Sequence, residues 1–135
     1  ETMFDPVINS LPAFASYFLT AVVLLGVFAV LYELVTPYNE LALIREGNAA
    51  AAITLGGAIV GFALPIAVSV AVSHNLYAMI GWAVVAGLVQ LLVYVVARLA
   101  LPSLNQAIPQ GKIASGIFLA SLSLGVGILN AGCII

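Results

Sequence analysis

AAAAITLGGAIVGFALPIAVSVAV, residues 49–72, carries no charged side chain, and its only polar groups are the hydroxyls of Thr54 and Ser69. About 20 apolar residues cross the hydrocarbon core of a bilayer as a helix, and this stretch is long enough to do so. Three more runs read the same way, about Phe14–Val35, Tyr77–Leu101 and Ile113–Ile135. Spanning strands would need only about 10 residues of alternating polarity. None of the four runs alternates. The sequence therefore predicts an all-α integral membrane protein with four transmembrane helices, folded as a single membrane domain over residues 1–135.

Composition agrees with that solvent. Hydrophobic residues make up 64% and charged residues 6% of the chain, against roughly 45–50% and about 25% in ordinary globular proteins. Three basic residues cannot track a phosphate backbone, so nucleic acid is not an expected partner. The lone Cys133 rules out an intrachain disulfide and a multi-cysteine metal centre. No HExxH, Ser/His/Asp set or phosphate loop ending in Lys is present, so no enzyme, cofactor or metal is expected.

The breaks between runs fall at Pro37 and Gly47, at Ser73-His74-Asn75, and at Pro102, Pro109 and Gly111. Glu1 to Ser10 holds two acids and no base, the wrong flank for a secretory leader. It reads as an interfacial lead-in, with Asp5-Pro6 as a helix start. Arg45, Arg98 and Lys112 all fall on one side of a four-span chain. The positive-inside rule then puts loops 36–48 and 102–112 in the cytoplasm and both termini outside.

The halves resemble each other. Gly47 to Leu55 aligns with Gly111 to Leu119 at an offset of 64, Gly61 meets Gly125, and Pro37 meets Pro102 one residue out of step. Two tandem two-helix repeats, about 11–72 and 77–135, would each enter from the same side and lie parallel. Gly57 and Gly61 form a GxxxG, and the aligned Ser121 and Gly125 keep its spacing; Ser123 and Gly127 form a second small pair. Such spacing lets helix backbones approach, where lipid supplies no hydrophobic drive. Pro65 should kink the second span.

Few polar groups remain for function. Glu33 and Arg98 each precede a proline by four residues, near the cytoplasmic end of the core, as a candidate pair lining a polar vestibule or as snorkelling side chains. Asn39, Glu40, Arg45, Glu46 and Asn48 crowd the first loop, interleaved with Tyr38, Leu41, Leu43 and Ile44. They suit either an interfacial amphipathic helix or a cytoplasmic mouth or partner surface. Gln90 and Asn130 are intramembrane amides expected to bond between helices. His74 reads as a solvated turn residue.

Thr36-Pro37-Tyr38-Asn39-Glu40 and Leu43-Ile44-Arg45-Glu46-Gly47-Asn48 resemble the DUF350 family, also called UPF0719 or YjfL-like. The likeness continues through Gly61 to Pro65, Gln90 to Val93, Arg98 to Pro102 and Leu129 to Ala131. It implies a bacterial inner-membrane protein of four helices built from two paired-helix repeats. The leading functional expectation is a homo-oligomer, or a subunit of a larger membrane complex, that passes an ion or small solute. The alternative is a non-conducting scaffold or accessory subunit.

Overall fold

In a computed structural model, residues 3–135 are described and fold into six helices; the first two residues of the expected lead-in lie outside that range. Four of the helices are long and apolar enough to cross a membrane. Helix α1 (Asp5–Val35) opens with an acid in its first turn and Pro6 beside it. Both suit a helix start, because the first amides lack intrahelical acceptors. The helix therefore begins at the expected Asp5-Pro6, and from Asp5 onward the lead-in is continuous with the span that the apolar run opens at Phe14. Its 31 residues span about 46 Å at 1.5 Å each, more than the roughly 30 Å of hydrocarbon. It stops at Thr36, whose extended backbone is what a residue preceding proline prefers.

The short helix α2 (Glu40–Arg45) is capped by Asn39, whose Oδ1 accepts the amide of Ala42 at 3.1 Å. It closes with Asn48 N–H donating to the carbonyl of Leu43 and Gly47 N–H to that of Ile44, both at 2.9 Å. That paired closure needs a left-handed residue next to last, and Gly47 supplies φ +87°. Asn48 then caps α3 (Ala49–Val72) through the amide of Ala51. Asn75 caps α4 (Leu76–Ala100) in the same manner.

The second half repeats this order. Helix α5 (Leu104–Ala107) leads into a closure in which Lys112 N–H donates to the carbonyl of Ala107 and Gly111 N–H to that of Ile108. Gly111 sits at φ +78°, and α6 (Ile113–Ile134) follows. The backbone closure thus matches across the two halves at the offset of 64 read from the sequence, but the caps do not: Ser103 and Lys112, level with Asn39 and Asn48, make no side-chain cap.

The packing does not match in the same way. Helices α3 and α6 run parallel in close contact: Gly116 meets Ala50, Gly57 meets Ala120, and Gly61 meets Ser123 and Gly127. A Cβ on Gly61 would lie 2.5 Å from the Ser123 carbonyl oxygen, and one on Gly127 would lie 2.2 Å from the Gly61 carbonyl oxygen. Pro65 lies buried within α3 and has no N–H to give that Gly61 carbonyl. The freed oxygen faces the Gly127 Cα, a weak C–H donor. Ser121 and Gly125, expected to serve close packing within or between subunits, take no part in the α3–α6 contact inside the chain. Both are exposed, and a Cβ on Gly125 would meet nothing within 4 Å. Gly125 stands two residues from Gly127, about 200° around the helix, so the aligned pair faces outward while Ser123 and Gly127 face α3.

Helix α4 lies against α3 and α6, and α1 packs on α3 and α4. Phe28 stacks on Phe62 with ring centroids 4.4 Å apart, and the Phe62 ring occupies the space left by Gly87. The two interhelical loops meet at one end. Asn48 Nδ2 donates to the carbonyls of Ile108 at 3.0 Å and Pro109 at 3.2 Å, over a small cluster of Ala50, Ala51 and Ile108. The Ser73–Asn75 turn sits at the opposite end.

Candidate functional site

The loop end of the bundle holds an acidic corner walled by tyrosines. Tyr32 comes from the last turn of α1, Tyr94 from the penultimate turn of α4, and Tyr38 from the linker before α2. Tyr32 and Tyr94 are buried edge to face, with centroids 6.0 Å apart. The Tyr94 hydroxyl donates to Asn105 Oδ1 on α5, which ties α4 to the second loop. Glu40, the first residue of α2, belongs to the same corner, close enough to act on Tyr32, Tyr38 and Tyr94, with 0% of its surface exposed.

Neither carboxyl oxygen of Glu40 has a hydrogen-bond partner of normal geometry, with the Thr36 hydroxyl its one weak contact, and the hydroxyls of Tyr32 and Tyr38 and Oε1 of Glu33 are buried and likewise lack a well-formed bond. Burial, reinforced by the nearby Glu33 charge, pushes the Glu40 carboxyl up to about 8. The Thr36 hydroxyl offsets only part of that rise; it already lies 3.3 Å from the carbonyl oxygens of Glu33 and Tyr38. Burial also raises the Tyr38 phenol, with Glu40 adding to the effect. An unpaired charge in such a corner is expensive, and the group prefers to be neutral.

The sequence-predicted residues divide by role. Glu33 and Arg98 share this end but form no ion pair. Glu33, with Oε1 buried, lies close enough to act on Glu40, and the Arg98 guanidinium lies 6.0 Å from the centroid of the Tyr94 ring one turn before it. Equal depth put them level, and facing was left open by their spacing. Among the five loop residues, Asn39 and Asn48 are helix caps, Glu40 is buried, and only Arg45 and Glu46 stand exposed with Asn39. Gln90 and Asn130 do come together: Gln90 Nε2 donates to the Ser123 carbonyl at 3.0 Å. Asn130 Nδ2 donates to the Ala86 carbonyl at 3.1 Å and Gln90 Oε1 at 3.3 Å. These satisfied amides clasp α4 to α6.

Sequence reading missed Tyr32, Thr36, Tyr94 and Asn105. The available signal was two tyrosines near the loop ends of spans one and three, since a buried phenol needs a polar neighbour. Among the described residues, no cluster of three or more His, Cys, Asp or Glu side chains could hold a metal ion.

Comparison with known proteins matches this four-span architecture. The model for "Domain of Unknown Function (DUF350)" matches residues 6–134. The chain is 32% identical to the UPF0719 inner membrane protein YjfL of Escherichia coli K12, over 94% of its own length and 96% of the relative's. It is also 32% identical to the UPF0719 transmembrane protein YshE of Bacillus subtilis, over 91% and 93% of the two chains. No solved structure matches it. With four apolar spans and a family match from end to end, the chain belongs to the DUF350 (UPF0719) family of multi-pass inner-membrane proteins.

Proposed function

We propose that this protein assembles with copies of itself in the inner membrane and passes an ion or small solute, with the acidic corner at the cytoplasmic mouth. One observation carries the reading: in a chain with five acids, Glu33 and Glu40 are gathered at one end of the bundle with no basic partner. An ionisable group held inside a membrane protein without a partner points first to a pathway. The cytoplasmic placement draws on Arg45, Arg98 and Lys112, which share that end. We assign the protein no chemical conversion of the solute it passes.

Assembly is part of the proposal because a single copy has a filled interior. Phe28 and Phe62 stack at its middle, and the Gln90 amide bridges to α6. A path would run between protomers. The outer half of α1 is exposed along Phe14, Phe18 and Val22, beside an apolar groove of about 670 Å³ against Ile66 and Val70 of α3. That face is available to a neighbour or to lipid.

Reconstituted liposomes test the reading. Cation flux above that of empty vesicles is expected, and Glu33→Gln with Glu40→Gln should change its rate or selectivity. Absence of flux for every cation and small solute tried, in vesicles shown to hold folded protein, overturns it. The exposure of Leu41 beside Arg45 and Glu46 on α2 favours a second reading, a scaffold whose α2 docks a cytoplasmic protein. Loss of a co-purifying protein on Leu41→Ala, with no flux in the wild type, would select it.

A further inference from the structure

We propose that Glu40 is a proton-binding site: its carboxyl stands as a neutral acid among Tyr32, Thr36, Tyr38 and Tyr94, and the ligand it takes is H⁺. Three features of the corner support this independently. The first is access: the side chain has no exposed surface, so water cannot solvate a carboxylate there. The second is coordination: neither oxygen has a hydrogen-bond partner of normal geometry, and among the surrounding hydroxyls only that of Thr36 favours the ionised form. An ionised carboxylate normally holds two or three donors when buried; this one has that single weak contact.

The third feature is the charge around it. Helix α1 presents Tyr32 and Glu33, the linker Tyr38, and α4 Tyr94. Helix α3 has no ionisable side chain at all, and α5 consists of Leu-Asn-Gln-Ala. Arg98 lies 6.0 Å from the Tyr94 ring centroid and makes no ion pair with Glu40. Arg45 at the end of α2 and Glu46 just after it are exposed, and six residues make only a weak dipole at the helix start. The nearest formal charge is therefore the like charge of Glu33, which opposes ionisation. The same burial and the same neighbour move the group's titration to about 8, consistent with a proton retained at neutral pH.

Chemically the site needs no co-reactant. The O–H bond of the carboxyl breaks as the proton leaves and forms again as it returns, with no electron transferred. The neutral acid is both donor and acceptor, so it can pair with a phenol oxygen that the carboxylate could only accept from. Coupling of this proton to solute passage rests on the acidic end being the mouth. The binding itself is measured separately.

The test uses the full chain in lipid nanodiscs, with the protonated-carboxyl C=O stretch followed by infrared difference spectroscopy during a pH titration. The expected result is a band present at neutral pH and lost with a midpoint near about 8. Glu40→Gln removes it, Glu33→Gln leaves it, and Glu40→Asp, which keeps an acid in case the amide disturbs folding, shifts its frequency. No protonated carboxyl at neutral pH, or a band that survives Glu40→Gln in folded protein, overturns the site. Flux without the band leaves passage standing and removes the proton; the band without flux supports the proton site and removes passage.

Discussion

Glu40 gives the corner a pH dependence of unusual sign. Its folded carboxyl titrates at about 8 against an ordinary 4.5, so between those values the unfolded chain has already lost a proton that the folded one keeps. Stability is then full below 4.5 and declines as pH rises toward 8, levelling off above it. Thermal melts in detergent, followed through Trp82 fluorescence, should show the midpoint falling by a few degrees across that window. Glu40→Gln should flatten the profile and melt above the wild type at its alkaline end. At the same scale, two glycines two residues apart should behave oppositely. Gly127→Ala drives a methyl onto the Gly61 carbonyl oxygen and should destabilise by about 1–3 kcal/mol. Gly125→Ala meets open space and should stay within about 0.5 kcal/mol or gain from helix propensity. Denaturant titration of both variants decides it, and equal effects would mean the face assignment on α6 is wrong. Their spacing from Ser123 or Ser121 reads alike in the sequence, because a small-xxx-small pattern exists on both faces of α6.

Between elements, the most informative single residue is Asn48. Its Oδ1 caps α3 while its Nδ2 holds the carbonyls of Ile108 and Pro109 in the other loop. Asn48→Ala should cost about 0.5–2 kcal/mol for the cap alone and also free the two loops from one another. Asn48→Asp keeps the cap acceptor but loses the amide donor. Hydrogen exchange separates the two contributions: the alanine variant should loosen both the first turn of α3 and the 108–112 closure, and the aspartate variant the closure alone. The helices themselves were legible beforehand, because apolar length, Pro37, Pro102 and the two glycines define four long rods. The start of α1 was legible at Asp5-Pro6, but its continuity with the span was not, since Asp5 to Ala13 mixes acid, amide, hydroxyl and two prolines. Helical geometry there follows from continuity with the span behind it.

For the whole molecule, the decisive arrangement is that both loops lie at one end. Cysteines placed at Asn39 and Asn105 in a Cys133→Ser background should label from the same side of the membrane. Cys133, near the other end of α6 and exposed, should label from the opposite side in the wild-type chain. Opposite labelling of 39 and 105 would dismantle the bundle as described. The same experiment on intact cells or spheroplasts tests the cytoplasmic placement of the loops.

Hydrophobic length and the near absence of charge were enough to require four helices in lipid, because no other solvent accepts this chain and a helix satisfies its own backbone there. The family likeness was also carried by local strings of residues, above all Thr36 to Asn48. Facing was another matter. Which small residues on α6 meet α3, that Glu33 and Arg98 form no ion pair, and that Glu40 is buried at the loop end all depend on the rotation of each helix about its axis. Rotation is set by interdigitation of side chains from segments far apart in the chain. A nearly uniformly apolar helix carries almost no polar stripe to announce it.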